Sequence, residues 1–278
     1  MRYGMLILSL LGSLGICLGT DSFAGYHWLW VLPLSFVGCF LALLVLMFLV
    51  LMIMCRLVDM EKPQKQDSPF YRWMAQSIAR LAEWVLLMQV HTRGMEQLPK
   101  EGRFLLVCNH INDLDPVLLL SRFPRSQLAF ISKRENATMF VVGKMMHKMM
   151  CQLINRENDR EALRTIITCI DMLKKDMVSV AVFPEGYTSM DGLLHPFRSG
   201  VFKIAQKANV PIVVCTLQNT NKVFRNAKHL KTTHVHLHLL KVLYPEDFAD
   251  MTTVELGNYV HTMMAEDLGP ALVLQENP

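Results

Sequence analysis

The chain has 278 residues, is 52% hydrophobic, and sets 28 Lys and Arg against 24 Asp and Glu for a formal net charge of +4. That length holds one large domain or two ordinary ones. So mild a basic bias, with no binding motif, excludes nucleic acid as the expected partner. Seven cysteines without a C-x-x-C pair exclude a disulfide framework and read as buried free thiols in a reducing compartment.

From Met1 to Cys55 the strongly charged residues are Arg2 and Asp21. The apolar run Tyr3–Thr20 reaches roughly 27 Å as a helix, close to the ~30 Å hydrocarbon thickness of a bilayer. A second run, Trp28–Cys55, carries no charge. Counted from Pro33 it reaches roughly 34 Å and crosses with some tilt, with Trp28 and Trp30 suited to the interface. The first run also has the length of a cleaved signal peptide. The second span follows within about eight residues and no A-x-A-like site is present, which favours a retained transmembrane hairpin over 1–58. Arg2 precedes the hairpin, Arg56, Lys62, Lys65 and Arg72 follow it, and the loop from Asp21 to His27 has no Lys or Arg. The positive-inside rule then puts both ends, and the domain that follows, in the cytoplasm of a two-span membrane protein.

Residues 59–278 form the second domain. Within 59–87, Glu61–Pro69 is a polar linker, and Phe70, Trp73, Met74, Ser77, Ile78, Leu81 and Val85 recur at helical spacing. That face lies either at the bilayer surface or against the domain core. Beyond it, strand-like runs (Met88–Thr92, Arg103–Cys108, Gln127–Ser132, Val178–Phe183, Ile212–Leu217, Thr233–Val242) alternate with helix-like runs (Asp115–Arg122, Thr138–Met150, Asp159–Lys175, Phe202–Ala208, Thr252–Leu268). The alternation predicts an α/β fold, a mixed sheet flanked by helices.

Three segments carry chemistry. Asn109-His110-x4-Asp115 closes an apolar run just before a proline. Imidazole titrates near ~6.5 in water and suits proton abstraction from an alcohol, and a carboxylate on its other nitrogen fixes the tautomer. No serine or cysteine nucleophile stands beside the pair in sequence, so it suits direct attack by a substrate hydroxyl. Phe183-Pro184-Glu185-Gly186 places a carboxylate at a strand exit, where open α/β sheets bind ligands. Cys151-Gln-Leu-Ile-Asn-Arg156 ends a short apolar strand with an arginine suited to a phosphate, and Lys133 ends another.

Asn109-His110-x4-Asp115, Ile154-Asn-Arg156, Phe183-Pro-Glu-Gly186 and Val210-Pro211-Ile212, in that order, resemble the four-block pattern of the glycerolipid acyltransferase superfamily, whose best-known members are the 1-acylglycerol-3-phosphate acyltransferases. The resemblance spans roughly Val90 to Tyr244. It implies a transferase of phospholipid biosynthesis that moves a fatty acyl group from a thioester to a lysophospholipid hydroxyl, most simply 1-acylglycerol-3-phosphate giving phosphatidate. It implies His110 as general base with Asp115, Arg156 on the acceptor phosphate, and Glu185 and Gly186 in the acceptor pocket; Asn109, Pro184 and Lys133 are further substrate-binding candidates from the segments themselves. Pro211 belongs to the block associated with the acyl donor. Membrane lipids and acyl-CoA or acyl carrier protein are the implied partners, with the thioester as co-substrate and no metal or other cofactor. The third block usually continues Thr-Arg-Ser, whereas here it continues Tyr187-Thr188-Ser189. The missing arginine weakens the inference that the acceptor is lysophosphatidate, and Arg198 is the candidate to replace its charge.

Other readings compete. His234, His236 and His238 share one strand face, as zinc ligands or as the polar side of an edge strand. Asp113-Leu-Asp115 is a D-x-D of the kind that holds a divalent ion in glycosyltransferases. A non-catalytic lipid-binding module on the same fold is the third.

Overall fold

The computed structural model describes residues 2–155 and 158–274. The chain divides into two compact units between Glu61 and Lys62. The first holds helices α1 (Arg2–Gly19) and α2 (Trp28–Arg56), which approach closely: a Cβ on Gly12 would lie 3.1 Å from the Cys39 sulfur. Ser9 and Ser13 donate to carbonyls one turn back, at Met5 and Leu10. This satisfies their hydroxyls within an apolar helix. Helix α2 is long and apolar enough to cross a membrane, and α1 is a shorter apolar helix.

The second unit opens with α3 (Pro69–Val85). The residues expected on one face divide: Met74, Ser77 and Leu81 are buried, while Phe70, Trp73 and Val85 are exposed, as is Trp84. Arg72 is buried because it bridges the Asp67 carboxylate (2.6 and 2.7 Å) and the Leu128 carbonyl (2.8 Å), so charge as well as apolar contact fixes this helix.

Seven strands follow: β1 (Met88–Arg93), β2 (Leu105–Cys108), β3 (Leu128–Lys133), β4 (Gln152–Ile154), β5 (Ser179–Val182), β6 (Ile212–Gln218) and β7 (Thr233–Leu243). They form one sheet in the order β1-β7-β6-β2-β5-β3-β4. Neighbours run parallel except β6 and β7, which are antiparallel. The sheet is therefore mixed, with helices α4 (Asp115–Arg122), α5 (Phe140–Lys148), α6 (Asp159–Lys174), α7 (Lys203–Ala208), α8 (Val223–Lys228) and α9 (Thr253–Leu268) around it. Helix α8 is not among the helix-like runs of the sequence.

The central strands β2 and β5 are buried at every position, and β6 at all but its last, as expected of strands covered on both faces. On one face Val107, Val182 and Val214 pack with Ile166 and Leu173 of α6, Ile204 of α7 and Val260 of α9. Because β5 and β6 flank β2, the chain segments leaving their carboxyl ends converge. This is the usual ligand edge of an open α/β sheet.

Candidate active site

His110 follows β2 by two residues, and Asp115 begins α4. The turn between them brings His110 Nδ1 to 2.9 Å from Asp115 Oδ2. That same oxygen accepts from the backbone N–H of Ile111 (2.7 Å) and Asn112 (2.8 Å). The other oxygen, Oδ1, accepts from the Thr220 hydroxyl at 2.5 Å, just beyond β6. Asp115 is fully buried. An oxygen already taking two backbone N–H donors is an acceptor, so Nδ1 of His110 carries its proton and Nε2 presents a lone pair. The imidazole stacks on Phe183, with centroids 4.1 Å apart, and retains 14% side-chain exposure. It is held on one side and open on the other, as a general base must be.

Glu185 sits at the exit of β5. It is 1% exposed and both of its oxygens take donors from the protein. Oε1 accepts from the His110 N–H (2.7 Å), and Oε2 accepts from the Ser189 hydroxyl and the His195 N–H. The Ser189 N–H in turn donates to the His110 carbonyl (2.7 Å). Burial pushes the Glu185 carboxyl above the ordinary range, against the opposing pull of these donors. The residue is a clamp that ties loop 185–189 to the His110 backbone from two directions.

Asn109 also does structural work. It is 1% exposed, with its amide donating to the Leu217 carbonyl (2.9 Å) and accepting from the Leu217 N–H (2.7 Å), so it joins the ends of β2 and β6. Pro211 precedes β6, where its carbonyl accepts from Leu105 at the start of β2. That is the opposite edge of the sheet from His110. Arg156 lies outside the described residues. Lys133 is exposed at the end of β3, on the same sheet edge as the site.

Pro184, Gly186 and Arg198 do come together. Gly186 has φ +84°, and a Cβ there would lie 2.9 Å from Cδ and Nε of Arg198, so glycine is needed both for the turn and for the arginine behind it. The Arg198 N–H donates to the Pro184 carbonyl at 2.8 Å. These residues border a cavity of about 340 Å³ whose walls include Ile131, Leu163, Ile166, Val182 and Phe183, with Arg198, Lys203 and Asp159 as its charged members.

Three neighbours of the pair were not legible in sequence. The Thr188 hydroxyl lies 3.0 Å from His110 Nε2, at the position where the acyltransferase pattern has arginine. Thr220 and Ser189 hold Asp115 and Glu185. None lies within a sequence interval that predicts contact, and only strand order brings them in.

The histidine face gains His91 from β1, whose Nε2 is 3.0 Å from His234 Nδ1, while His238 pairs with Asp267 (3.0 Å). Among the described residues no group of three or more His, Cys, Asp or Glu could hold a metal ion. The D-x-D reading fails on geometry, because Asp115 faces four internal donors and has no oxygen turned outward. Among the described residues the cysteines form no disulfide. Burial, reinforced by Cys215, Asp115 and Glu185, pushes the Cys108 thiol far up, and burial raises Cys151 to about 11. Neither is an activated nucleophile.

Residues 89–218 match the Acyltransferase family model. The chain is 37% identical over 132 residues to the chloroplastic 1-acyl-sn-glycerol-3-phosphate acyltransferase BAT2 of Brassica napus, covering 47% of this chain and 38% of that one. It is 24% identical over 232 residues to a 1-acyl-sn-glycerol-3-phosphate acyltransferase of Cocos nucifera, covering 83% of this chain and 73% of that one. The solved structure of the 1-acyl-sn-glycerophosphate (LPA) acyltransferase PlsC from Thermotoga maritima shares the fold, with a TM-score of 0.60, 22% identity and coverage of 74% of this chain and 81% of that one.

Proposed function

We propose, from a chain whose residues 89–218 match the Acyltransferase family model, that it transfers a fatty acyl group from a thioester to the hydroxyl of 1-acylglycerol-3-phosphate, giving phosphatidate. The observation that carries this reading is the imidazole with a buried carboxylate on Nδ1 and a hydroxyl already on Nε2. An acceptor alcohol entering there gives its proton to Nε2 as its oxygen attacks the thioester carbonyl. The carbonyl oxygen becomes an oxyanion, the carbon–sulfur bond breaks, and the imidazolium returns the proton to the leaving thiolate. Asp115 stabilises the imidazolium between these steps. The names of the relatives, and the cationic members of the adjoining cavity, support a phosphate-bearing acceptor. The mostly apolar cavity suits a hydrocarbon chain.

Both N-terminal helices cross the membrane in this reading. Helix α2 exceeds the hydrocarbon thickness and tilts, α1 matches it, and the Lys and Arg residues flanking the pair place both ends in the cytoplasm.

The test is transfer by detergent-solubilised full-length chain, offered palmitoyl-CoA or palmitoyl carrier protein with a panel of lysolipids and glycerol 3-phosphate. Phosphatidate formed from 1-acylglycerol-3-phosphate in preference to the other acceptors is the expected product. Transfer confined to another acceptor, or none at all, would overturn the assignment.

Arg198 provides a sharper check of the phosphate contact. Loss of one charge-assisted hydrogen bond costs about 1.5–3 kcal/mol, so Arg198→Ala should raise KM for 1-acylglycerol-3-phosphate roughly 10- to 100-fold and leave the KM of an uncharged monoacylglycerol unchanged. An equal rise for both acceptors would remove Arg198 from phosphate binding.

A further inference from the structure

Between Asp191 and Glu246 the chain has eight Lys and Arg and no Asp or Glu. Four of these cations, Lys222, Arg225, Lys228 and Lys231, recur every third residue and are exposed. Among the described residues none of the four forms an ion pair. Two large apolar side chains, Phe224 and Leu230, are exposed among them. Apolar surface inside a field of one sign has the make-up of an interface.

The fold puts this ridge beside the reacting pair. It leaves β6 at the carboxyl end, and β7 returns antiparallel from Thr233, with Gln218 opposite His236. Residues 219–232 therefore lie at the edge of the sheet that holds His110. The ridge opens with the 3-10 turn Thr220–Lys222, and the Thr220 hydroxyl is the one on Asp115 Oδ1. The next residue, Asn221, meets the loop after β5, where a Cβ on Gly192 would lie 2.6 Å from its Nδ2. Asn219 and Asn226 fasten the ridge to β7, donating to the His234 carbonyl (3.0 Å) and the Thr233 hydroxyl (3.1 Å). The cations thus stand on a fixed support at the rim of the site.

We propose that this ridge docks an acidic acyl carrier protein, which presents its thioester to the acceptor at His110 on a pantetheine arm. The proposal rests on the acyltransferase reading and chooses the donor for it. A positive surface that adjoins the reacting pair suits an anionic partner that takes part in the reaction. Coenzyme A offers phosphates, which call for cations converging on one point. Lys222 to Lys228 instead spread over roughly 9 Å of helical chain, and Lys231 extends them. A carrier protein meets that breadth with its own carboxylates and covers Phe224 and Leu230 with apolar surface. Long-range attraction raises the rate of encounter, and salt weakens it.

The test is binding of fluorescently labelled palmitoyl carrier protein to detergent-solubilised full-length chain, read by anisotropy, together with KM for each donor. Arg225→Glu/Lys228→Glu reverses two charges and leaves Asn219, Thr220 and Asn221 in place. It should weaken carrier-protein binding and raise KM for palmitoyl carrier protein roughly 10- to 100-fold. The kcat, the KM for palmitoyl-CoA and the KM for 1-acylglycerol-3-phosphate should stay at wild-type values. Added salt should weaken binding of the wild type more than that of the variant. Unchanged carrier-protein binding in the variant would overturn the docking surface. An equal rise in KM for both donors would overturn it too, by assigning the cations to a phosphate the donors share. A change in KM seen only with phosphatidylglycerol in the micelles would make the ridge a lipid contact instead. Transfer from palmitoyl-CoA with no binding of carrier protein would sink the inference and leave the acyltransferase reading standing. Failure of that reading registers separately, as absence of transfer from either donor, and binding still decides the docking in that case.

Discussion

Substitution of His110 by alanine should lower acyl transfer by about 10²–10⁴-fold, the contribution of a positioned general base. The imidazole faces both the buried carboxylate and the open side of the site. The fold should survive, because the groups around the ring remain paired without it. Asp115 keeps Ile111, Asn112 and Thr220 as donors, and the Glu185 and Ser189 bonds run to the His110 backbone rather than its side chain. Purified His110→Ala should therefore show wild-type thermal unfolding together with turnover near background. Substantial turnover in a well-folded variant would remove His110 from the chemistry.

Asp115 should separate charge from geometry. Asp115→Ala leaves the Ile111 and Asn112 N–H groups without their acceptor at the start of α4. At about 1–3 kcal/mol for each unpaired buried group, this costs roughly 2–6 kcal/mol of stability and disorders the imidazole as well. Asp115→Asn should behave differently. Two backbone donors require an oxygen where Oδ2 now sits, so the amide carbonyl keeps the His110 Nδ1–H bond, and the amide nitrogen turns to Thr220, whose hydroxyl can accept as well as donate. The tautomer is preserved and only the negative charge behind the imidazolium is lost. Replacing a charged by a neutral acceptor at about 1.5–3 kcal/mol predicts a 10- to 100-fold fall in kcat with unfolding close to wild type. A much larger fall in kcat, with His110 protonated on Nε2 by NMR, would show that the amide had turned the other way.

The two N-terminal helices, most strands and the longer helices of the second unit were legible because each rests on a local pattern. The apolar run of α2 shows its own length, β2, β5 and β6 are mostly apolar runs, and α9 begins at a Thr252–Glu255 capping box. His110 and Asp115 were legible as a pair because five residues of turn suffice to join them. Position in a motif was a poorer guide elsewhere. Asn109 and Glu185 stand in the right blocks but turn inward, for the same physical reason. A strand that ends beside two others leaves backbone N–H groups of its neighbours to be satisfied, and the adjacent polar side chains serve that need before any ligand. Pro211 belongs to the fourth block in sequence, yet β6 carries the chain across the sheet before it reaches the site.

By itself the sequence determined the mixed α/β class, the apolar N-terminal helices and the pairing of an imidazole with a carboxylate, all of them fixed by periodicity, run length or a short separation along the chain. Only the tertiary structure decided which residues surround that pair. Thr188 lies 78 residues from His110 and Thr220 lies 105 residues from Asp115 in the chain, and they meet the pair because β5 and β6 flank β2. Strand order is set by how the whole sheet buries its apolar faces, a global free-energy balance that no local stretch of residues encodes.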